Sequence, residues 1–134
     1  MPTIHAGSTR EERIAQAAHN LRYKQTVRGA LSLRIRRLKH RCKVAGVQCT
    51  LTHDDLIGLW NKQGGKCALS KEPLLLGSEL ANPMACSIDR VKPSLGYVPG
   101  NVRLVAFWIN SARMAMQDDE FFDRVRRLSR NLLS

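Results

Sequence analysis

The sequence lacks the features that mark membrane-spanning, secreted and repetitive proteins. No apolar run approaches the ~18 residues of a membrane span, and the first residues lack the charged-then-apolar pattern of a secretory signal. We therefore expect no membrane partner and a cytoplasmic location. No internal repeat or low-complexity segment is visible. A length of 134 residues suits one compact domain with a single core.

Paired cysteine motifs are also missing. The chain has four cysteines but no CxxC pair: Cys42, Cys49, Cys67 and Cys86. Because structural zinc sites are commonly built on such closely spaced ligands, a structural zinc is not expected. In an intracellular chain these residues are expected to be buried free thiols.

Acidic residues are scarce, and they are unevenly distributed. Lys and Arg number 22 against 11 Asp and Glu, which gives a net charge of +11. This balance indicates a polyanionic partner, and the absence of a basic amphipathic Trp/Phe helix favours nucleic acid over an anionic membrane. Residues 1–45 hold 11 basic and 2 acidic side chains, whereas residues 46–134 hold 11 and 9. The N-terminal third is therefore the expected binding surface.

Part of that third has a helical pattern. The spacings of three and four residues between Val27, Leu31, Ile35, Leu38 and Cys42 predict one buried face. Most runs of charged residues simply form a solvent-exposed face of a helix. Here, however, seven cations without a carboxylate would destabilise a helix unless something such as phosphate neutralised them. We expect these cations on the other faces, as DNA-binding residues: Arg28, Arg34, Arg36, Arg37, Lys39, Arg41 and Lys43.

The remaining elements are predicted as follows. Helices are expected over 9–23, from Thr52 to before Gly64, from Val105 onward and from Asp118 onward. Strands are expected over 66–69, 85–91 and 102–105, with an irregular stretch over 74–85 and a loop over 92–100. The last two helices should bury these apolar positions: Val105, Trp108, Ile109, Ala112 and Met116, then Phe121, Val125, Leu128 and Leu132.

An ordered set of short motifs runs from residue 63 to residue 113. It comprises QGGKC at 63–67, SIDRV at 87–91, GY at 96–97, GNV at 100–102 and IN at 109–110. In this order, followed by a helix, the set resembles the small phage-type HNH endonucleases of the His-Me finger (ββα-metal) superfamily. The resemblance implies an α+β, mostly helical fold: a ββα-metal core with basic N-terminal helices and a C-terminal helix.

The resemblance also implies roles for particular residues. Asp89 and Asn110 would bind Mg²⁺ or Mn²⁺, and Asn101 would tie the hairpin loop. Lys92 and Arg113 would join the DNA contacts. The family has a catalytic His where this chain has Arg90, and a guanidinium cannot act as a general base, although it can stabilise a phosphate oxygen. Three of these residues also have a plain structural interpretation. Asp89 could be a surface acid, Asn101 a turn former and Asn110 a solvated helix residue.

The general base has three candidates, which are His53, Tyr97 and a metal-bound water, and His53 is favoured. The leading hypothesis is a metal-dependent DNA endonuclease with a one-metal mechanism, and a homodimer would suit double-strand cutting. The rival is a nucleic-acid-binding protein that kept the fold and lost hydrolysis. A third alternative, a basic scaffold for protein partners, fits the charge less well. Residues 1–50 would form the DNA-binding segment, and residues 51–134 the nuclease core.

Overall fold

The computed structural model describes residues 7–77 and 80–134, which form five α-helices and one two-stranded antiparallel sheet. The helices and strands are α1 (Arg10–Gln25), α2 (Val27–Ala45), α3 (His53–Gln63), β1 (Cys86–Arg90), β2 (Val102–Ala106), α4 (Phe107–Arg113) and α5 (Asp118–Leu133). The α+β, mostly helical fold class is confirmed. No described helix is long and apolar enough to cross a membrane. The sequence of residues 1–8, with Pro2, Gly7 and Ser8 and no apolar periodicity, predicts a disordered arm, and most of these residues lie outside the described part of the chain.

Helices α1 and α3 start at the predicted N-cap residues, Thr9 and Thr52. Thr9 and Glu12 cap the start of α1 through reciprocal side-chain to backbone hydrogen bonds of 2.8 and 3.1 Å. Thr52 and Asp55 form the same capping box at the start of α3. Helix α2 ends at Gly46, whose φ of 70° lies in the left-handed region that glycine adopts without strain.

One hydrophobic core joins α2 to the sheet. Leu31 and Leu38 of α2 and Leu104 of β2 are at most 1% exposed and belong to the same buried cluster. Full burial of such a side chain contributes roughly 1.5–3 kcal/mol. The predicted apolar stripe of α2 is confirmed except at Val27, which is 39% exposed in the first turn. The basic helix is therefore anchored against the same core as the sheet.

The two strands form a hairpin that leads directly into α4. Asp89 of β1 pairs with Arg103 of β2 in the antiparallel register. Helix α4 starts at Phe107, one residue after β2 ends, and returns along β1. Ser87 and Asp89 lie on the β1 face that α4 covers, because α4 side chains bond to both of them.

Three local predictions are wrong. Residues 66–69 form a turn with an isolated bridge from Lys66 to Pro73, not a strand. Helix α4 buries Ile109 and Arg113, whereas Trp108 is 46% exposed. Helix α5 begins at Asp118, but this residue is its first helical residue and not the N-cap that the sequence predicts, and of the predicted apolar stripe only Phe121 is buried.

Candidate functional site

Asp89 is enclosed by two arginines. Its Oδ2 accepts a hydrogen bond of 2.8 Å from Nε of Arg103, and its Oδ1 accepts one of 2.7 Å from Nη1 of Arg113. The side chains of Asp89 and Arg113 are 2% and 1% exposed. Arg103 reaches Asp89 because the two residues face each other in the hairpin, and Arg113 reaches it from the last turn of α4.

Asp118, the first residue of α5, closes the network from the other side. It accepts two hydrogen bonds from Arg103, of 2.9 and 2.6 Å, and a third from Nε of Arg113, of 3.2 Å. The hydrogen bond from Arg103 is the main cause that lowers the pKa of Asp118. Burial acts to lower the pKa of Arg103, but its bonds to Asp118 and Asp89 outweigh burial and raise it. Two carboxylates thus neutralise two guanidinium groups.

Arg113 also binds the backbone where β1 ends. Its Nη1 and Nη2 donate to the carbonyl oxygens of Arg90 and Val91, each at 2.7 Å. All three nitrogens of this buried guanidinium therefore have partners, which is what a buried charge requires. Arg113 was predicted to contact DNA, but the structure places its side chain in the interior, 1% exposed, where it ties α4, β1 and α5 together.

The arrangement around Asp89 does not fit a divalent cation. Mg²⁺ needs free oxygen ligands in a near-octahedral shell that usually includes several waters. Both oxygens of Asp89 are already bound to cationic groups, and the side chain is almost fully buried.

Asn110 lies on the same side of β1 but has a different partner. Its Nδ2 donates to Oγ of Ser87 at 2.7 Å. Because Ser87 accepts this bond, its own hydroxyl proton is free to be donated elsewhere. Asn110 lies outside the apolar positions predicted for this helix, yet it is half-buried against β1.

A cleft of about 220 Å³ opens beside Asn110, between α2, β1 and α4. We call it the arginine cleft, because three arginines from successive turns of α2 line one side. The opposite side is formed by Ser87 and Asn110, with Phe107 also lining the cleft. The three arginines are spaced by three and four residues, so one helix face presents all of them: Arg34, Arg37 and Arg41.

Arg34 is the most unusual side chain in this cleft. It is only 6% exposed, and its Nε donates to the carbonyl oxygen of Cys86 at 2.9 Å. Its Nη2 is buried and has no hydrogen-bond partner among the described residues. Such an orphan donor typically costs ~1–3 kcal/mol. Burial, and after it the nearby charge of Arg37, lower the pKa of Arg34, and burial raises that of the Cys86 thiol to about 12.

The hairpin loop is held by Asn101. This buried side chain accepts from the backbone N–H of Lys92 at 3.0 Å and donates to the carbonyl oxygens of Lys92 and Gly96. Within the same region, the guanidinium of Arg90 lies 4.8 Å from the ring centroid of Tyr97, in cation–π geometry. The loop is therefore fixed by its own side chains, and the side chain of Lys92 is exposed on it.

His53 has a structural contact between two helices. Its Nε2 lies 2.8 Å from the carbonyl oxygen of Arg28, which links the first turn of α3 to the start of α2. The hydrogen-bond partners of Asp89 are Arg103 and Arg113, and that of Asn110 is Ser87. No hydrogen bond among the described residues links His53 to either of them.

The predicted DNA-binding cations of α2 fall into three groups. Arg34 is buried, so the prediction that it lies on an outer face is wrong. Arg28 lies 3.9 Å from Asp54 in an exposed ion pair. The others are exposed and have no carboxylate partner among the described residues, and we call them the α2 basic face: Arg36, Arg37, Lys39, Arg41 and Lys43.

The sequence analysis did not identify three residues of this region. Arg103 and Asp118 complete the network around Asp89, and Ser87 completes the arginine cleft. A signal existed for two of them. Ser87 is two residues before Asp89 and so shares its strand face, and a hairpin closed around the 92–100 loop places Arg103 opposite Asp89.

Comparison with known proteins gives no match: no protein family, no curated protein and no solved structure is significantly similar to this chain.

Proposed function

We propose that this protein binds nucleic acid, most directly duplex DNA, through the sugar–phosphate backbone. The observation that supports this proposal best is the α2 basic face. Its five cations are exposed and have no carboxylate partner in residues 7–77 and 80–134. Phosphate contacts from Lys and Arg supply most of the sequence-independent affinity of DNA-binding proteins.

Helix α5 provides an internal contrast. It is also rich in arginine, but Arg124 pairs with Glu120 and Arg127 pairs with Asp123, each at i,i+4. This is the usual arrangement for a solvated helix face. Two of the four α5 arginines are paired in this way, whereas no cation of the α2 basic face has such a pair within the described part of the chain, and this difference favours α2 over α5 as the binding surface.

The spacing of the α2 cations points the same way. Arg37 and Arg41 are four residues apart, as are Lys39 and Lys43, and like charges at this spacing cost roughly 0.2–0.5 kcal/mol per pair. The core contacts of Leu31 and Leu38 hold the helix in place despite this repulsion. A polyanion would remove the repulsion and release its own condensed counterions.

The test is the salt dependence of DNA binding. Fluorescence anisotropy with labelled duplexes of unrelated sequence should give affinities that fall linearly on a log–log plot against salt. The expected slope is about 0.9 per phosphate neutralised, and it should be similar for every sequence. Affinity that does not change with salt would contradict backbone binding.

A second candidate function is phosphodiester hydrolysis by a metal-dependent endonuclease. It is favoured by the order of a hairpin, an Asn101-braced loop and a following helix that carries Asn110, because the resemblance implies this order for a ββα-metal core. Arg90 would then bind a phosphate oxygen. The enclosure of Asp89 by two guanidinium groups counts against this candidate, so we place it after binding.

Incubation with supercoiled plasmid separates the two candidates. The binding proposal predicts that plasmid stays supercoiled with Mg²⁺ or Mn²⁺ at protein concentrations that saturate it. The endonuclease candidate predicts nicking that EDTA abolishes and that Arg90→Ala weakens. If nicking occurs, pH–rate profiles of His53→Ala and of a Tyr97→Phe variant would identify or exclude each as the base. Linear products would favour two cooperating copies.

A further inference from the structure

The arginine cleft has a feature that the exposed α2 basic face does not have. Arg34 is 94% buried, as its 6% exposure shows, and its Nη2 has no partner among the described residues. Buried polar groups in native proteins almost always have a partner, and an exception calls for an explanation. Arg34 lines the cleft, so a ligand with acceptor oxygens bound there would compensate the charge of its guanidinium.

The charges around the cleft specify an anion. Arg37 and Arg41 join Arg34 on one side, and no carboxylate lines the cleft within the described part of the chain. The nearby charge of Arg37 also lowers the pKa of Arg34, after the larger effect of burial. A neutral or cationic ligand would leave these charges uncompensated.

The opposite side of the cleft supplies neutral donors. The hydroxyl of Ser87 accepts from Asn110 and keeps its proton available for an anion. Guanidinium groups bind phosphoryl oxygens in a fork geometry. A cleft of about 220 Å³ is smaller than the ~300–1,000 Å³ of typical small-molecule sites, so it suits one tetrahedral group rather than a whole nucleotide.

We propose that the arginine cleft binds one phosphoryl group, held by Arg34, Arg37 and Arg41 with help from Ser87. Where this group belongs to a nucleic acid, the inference rests on the proposed function. The cleft then fixes the position of one specific phosphate, and this phosphate orients the nucleic-acid strand relative to α2. Phe107, also lining the cleft and 37% exposed, is placed to contact the adjoining sugar or base.

The first experiment uses inorganic phosphate as the probe and does not depend on nucleic acid. In ¹⁵N–¹H NMR spectra, phosphate should shift the Nε–H signal of Arg34 and the side-chain amide signal of Asn110 in a saturable manner. Sodium chloride at equal ionic strength should not. The proposal is overturned if phosphate moves neither signal beyond the chloride effect.

Matched double variants then assign the effect to the cleft. Arg37→Gln/Arg41→Gln removes two cleft charges, and Arg36→Gln/Lys39→Gln removes two charges from the same helix outside the cleft. Arg34 is kept because its bond to Cys86 supports the fold. The cleft variant should lose about tenfold or more in phosphate affinity, as expected for lost charge-assisted bonds, and the control much less. Equal affinities in the two variants overturn the proposal.

The second experiment identifies the source of the phosphoryl group. Two DNA duplexes differ only by a 5′-phosphate or a 5′-hydroxyl. If the cleft holds a terminal phosphate, the phosphorylated duplex binds more tightly and the cleft variant removes the difference. If it holds an internal phosphate, the cleft variant weakens both duplexes equally, and more than the control does. Phosphate binding without any DNA binding would support the cleft and contradict only the proposed function.

Discussion

Arg113 and Asp89 form a buried ion pair, with 2.7 Å between Nη1 and Oδ1 and exposures of 1% and 2%. The pair joins α4, a helix of seven residues, to β1, the strand on which α4 packs. Removing one partner of a buried pair leaves the other charge uncompensated, which is far more costly than losing an exposed pair. The pair is therefore a structural link between α4 and β1.

Asp89→Asn should destabilise the fold by about 3–5 kcal/mol, because Arg103 and Arg113 would lose a shared counter-ion in a buried position. Urea unfolding measures this. Asp123→Asn is the control, since it breaks an exposed i,i+4 pair with Arg127 and should cost less than about 1 kcal/mol. The metal-ligand hypothesis instead predicts that loss of Asp89 leaves folding nearly intact. A near-neutral Asp89→Asn would support that hypothesis.

Asp118 should make stability depend on pH in the acidic range. The hydrogen bond from Arg103 lowers its pKa in the folded state. Its contribution is therefore complete above the ordinary value of about 3.9 and is lost as the pH falls through the lower folded value. Asp118→Asn should flatten the decrease in unfolding free energy below about pH 5.

Asp119→Asn is the control for that titration, because within the described ranges its exposed carboxylate accepts a hydrogen bond only from the neighbouring helix amide of Glu120. Urea unfolding at a series of pH values compares the two variants with the parent. If Asp118→Asn and the parent lose stability in parallel as the solution is acidified, the network around Asp118 contributes nothing to the pH dependence.

Asn101→Ala should loosen the hairpin loop. The substitution removes three hydrogen bonds to Lys92 and Gly96 and should cost about 1–3 kcal/mol, because buried backbone groups lose their partners. The amide of Lys92 should exchange with solvent much faster. Asn131→Ala, in the exposed last turn of α5, should change neither quantity. Unchanged protection of Lys92 would show that the loop does not depend on Asn101.

Much of the fold could be predicted because local signals agree with the final packing. The caps at Thr9, Thr52 and Gly46 act through hydrogen bonds and dihedral angles within a few residues. The stripe from Leu31 to Cys42 is apolar and indeed meets the core. Such features need no knowledge of distant residues.

The burial of Arg34 and Arg113 could not be predicted in this way. Hydrophobic periodicity assigns charged residues to the surface, but these two find partners far along the chain, at Cys86 and at Asp89. The same limitation explains Trp108, which periodicity assigned to the core. Helix α4 turns its polar residues toward β1 because Ser87 and Asp89 offer hydrogen bonds there.

The most direct test of the proposed function compares two triple variants that lose the same charge. Arg36→Gln/Lys39→Gln/Lys43→Gln alters the α2 basic face outside the cleft, and Arg124→Gln/Arg126→Gln/Arg130→Gln alters α5. DNA affinity and its salt dependence are measured by anisotropy for both variants and the parent. Backbone binding through α2 predicts weaker binding and a slope reduced by up to about 0.9 per lost contact in the α2 variant only. Equal losses in the two variants, or no loss in the α2 variant, would contradict it.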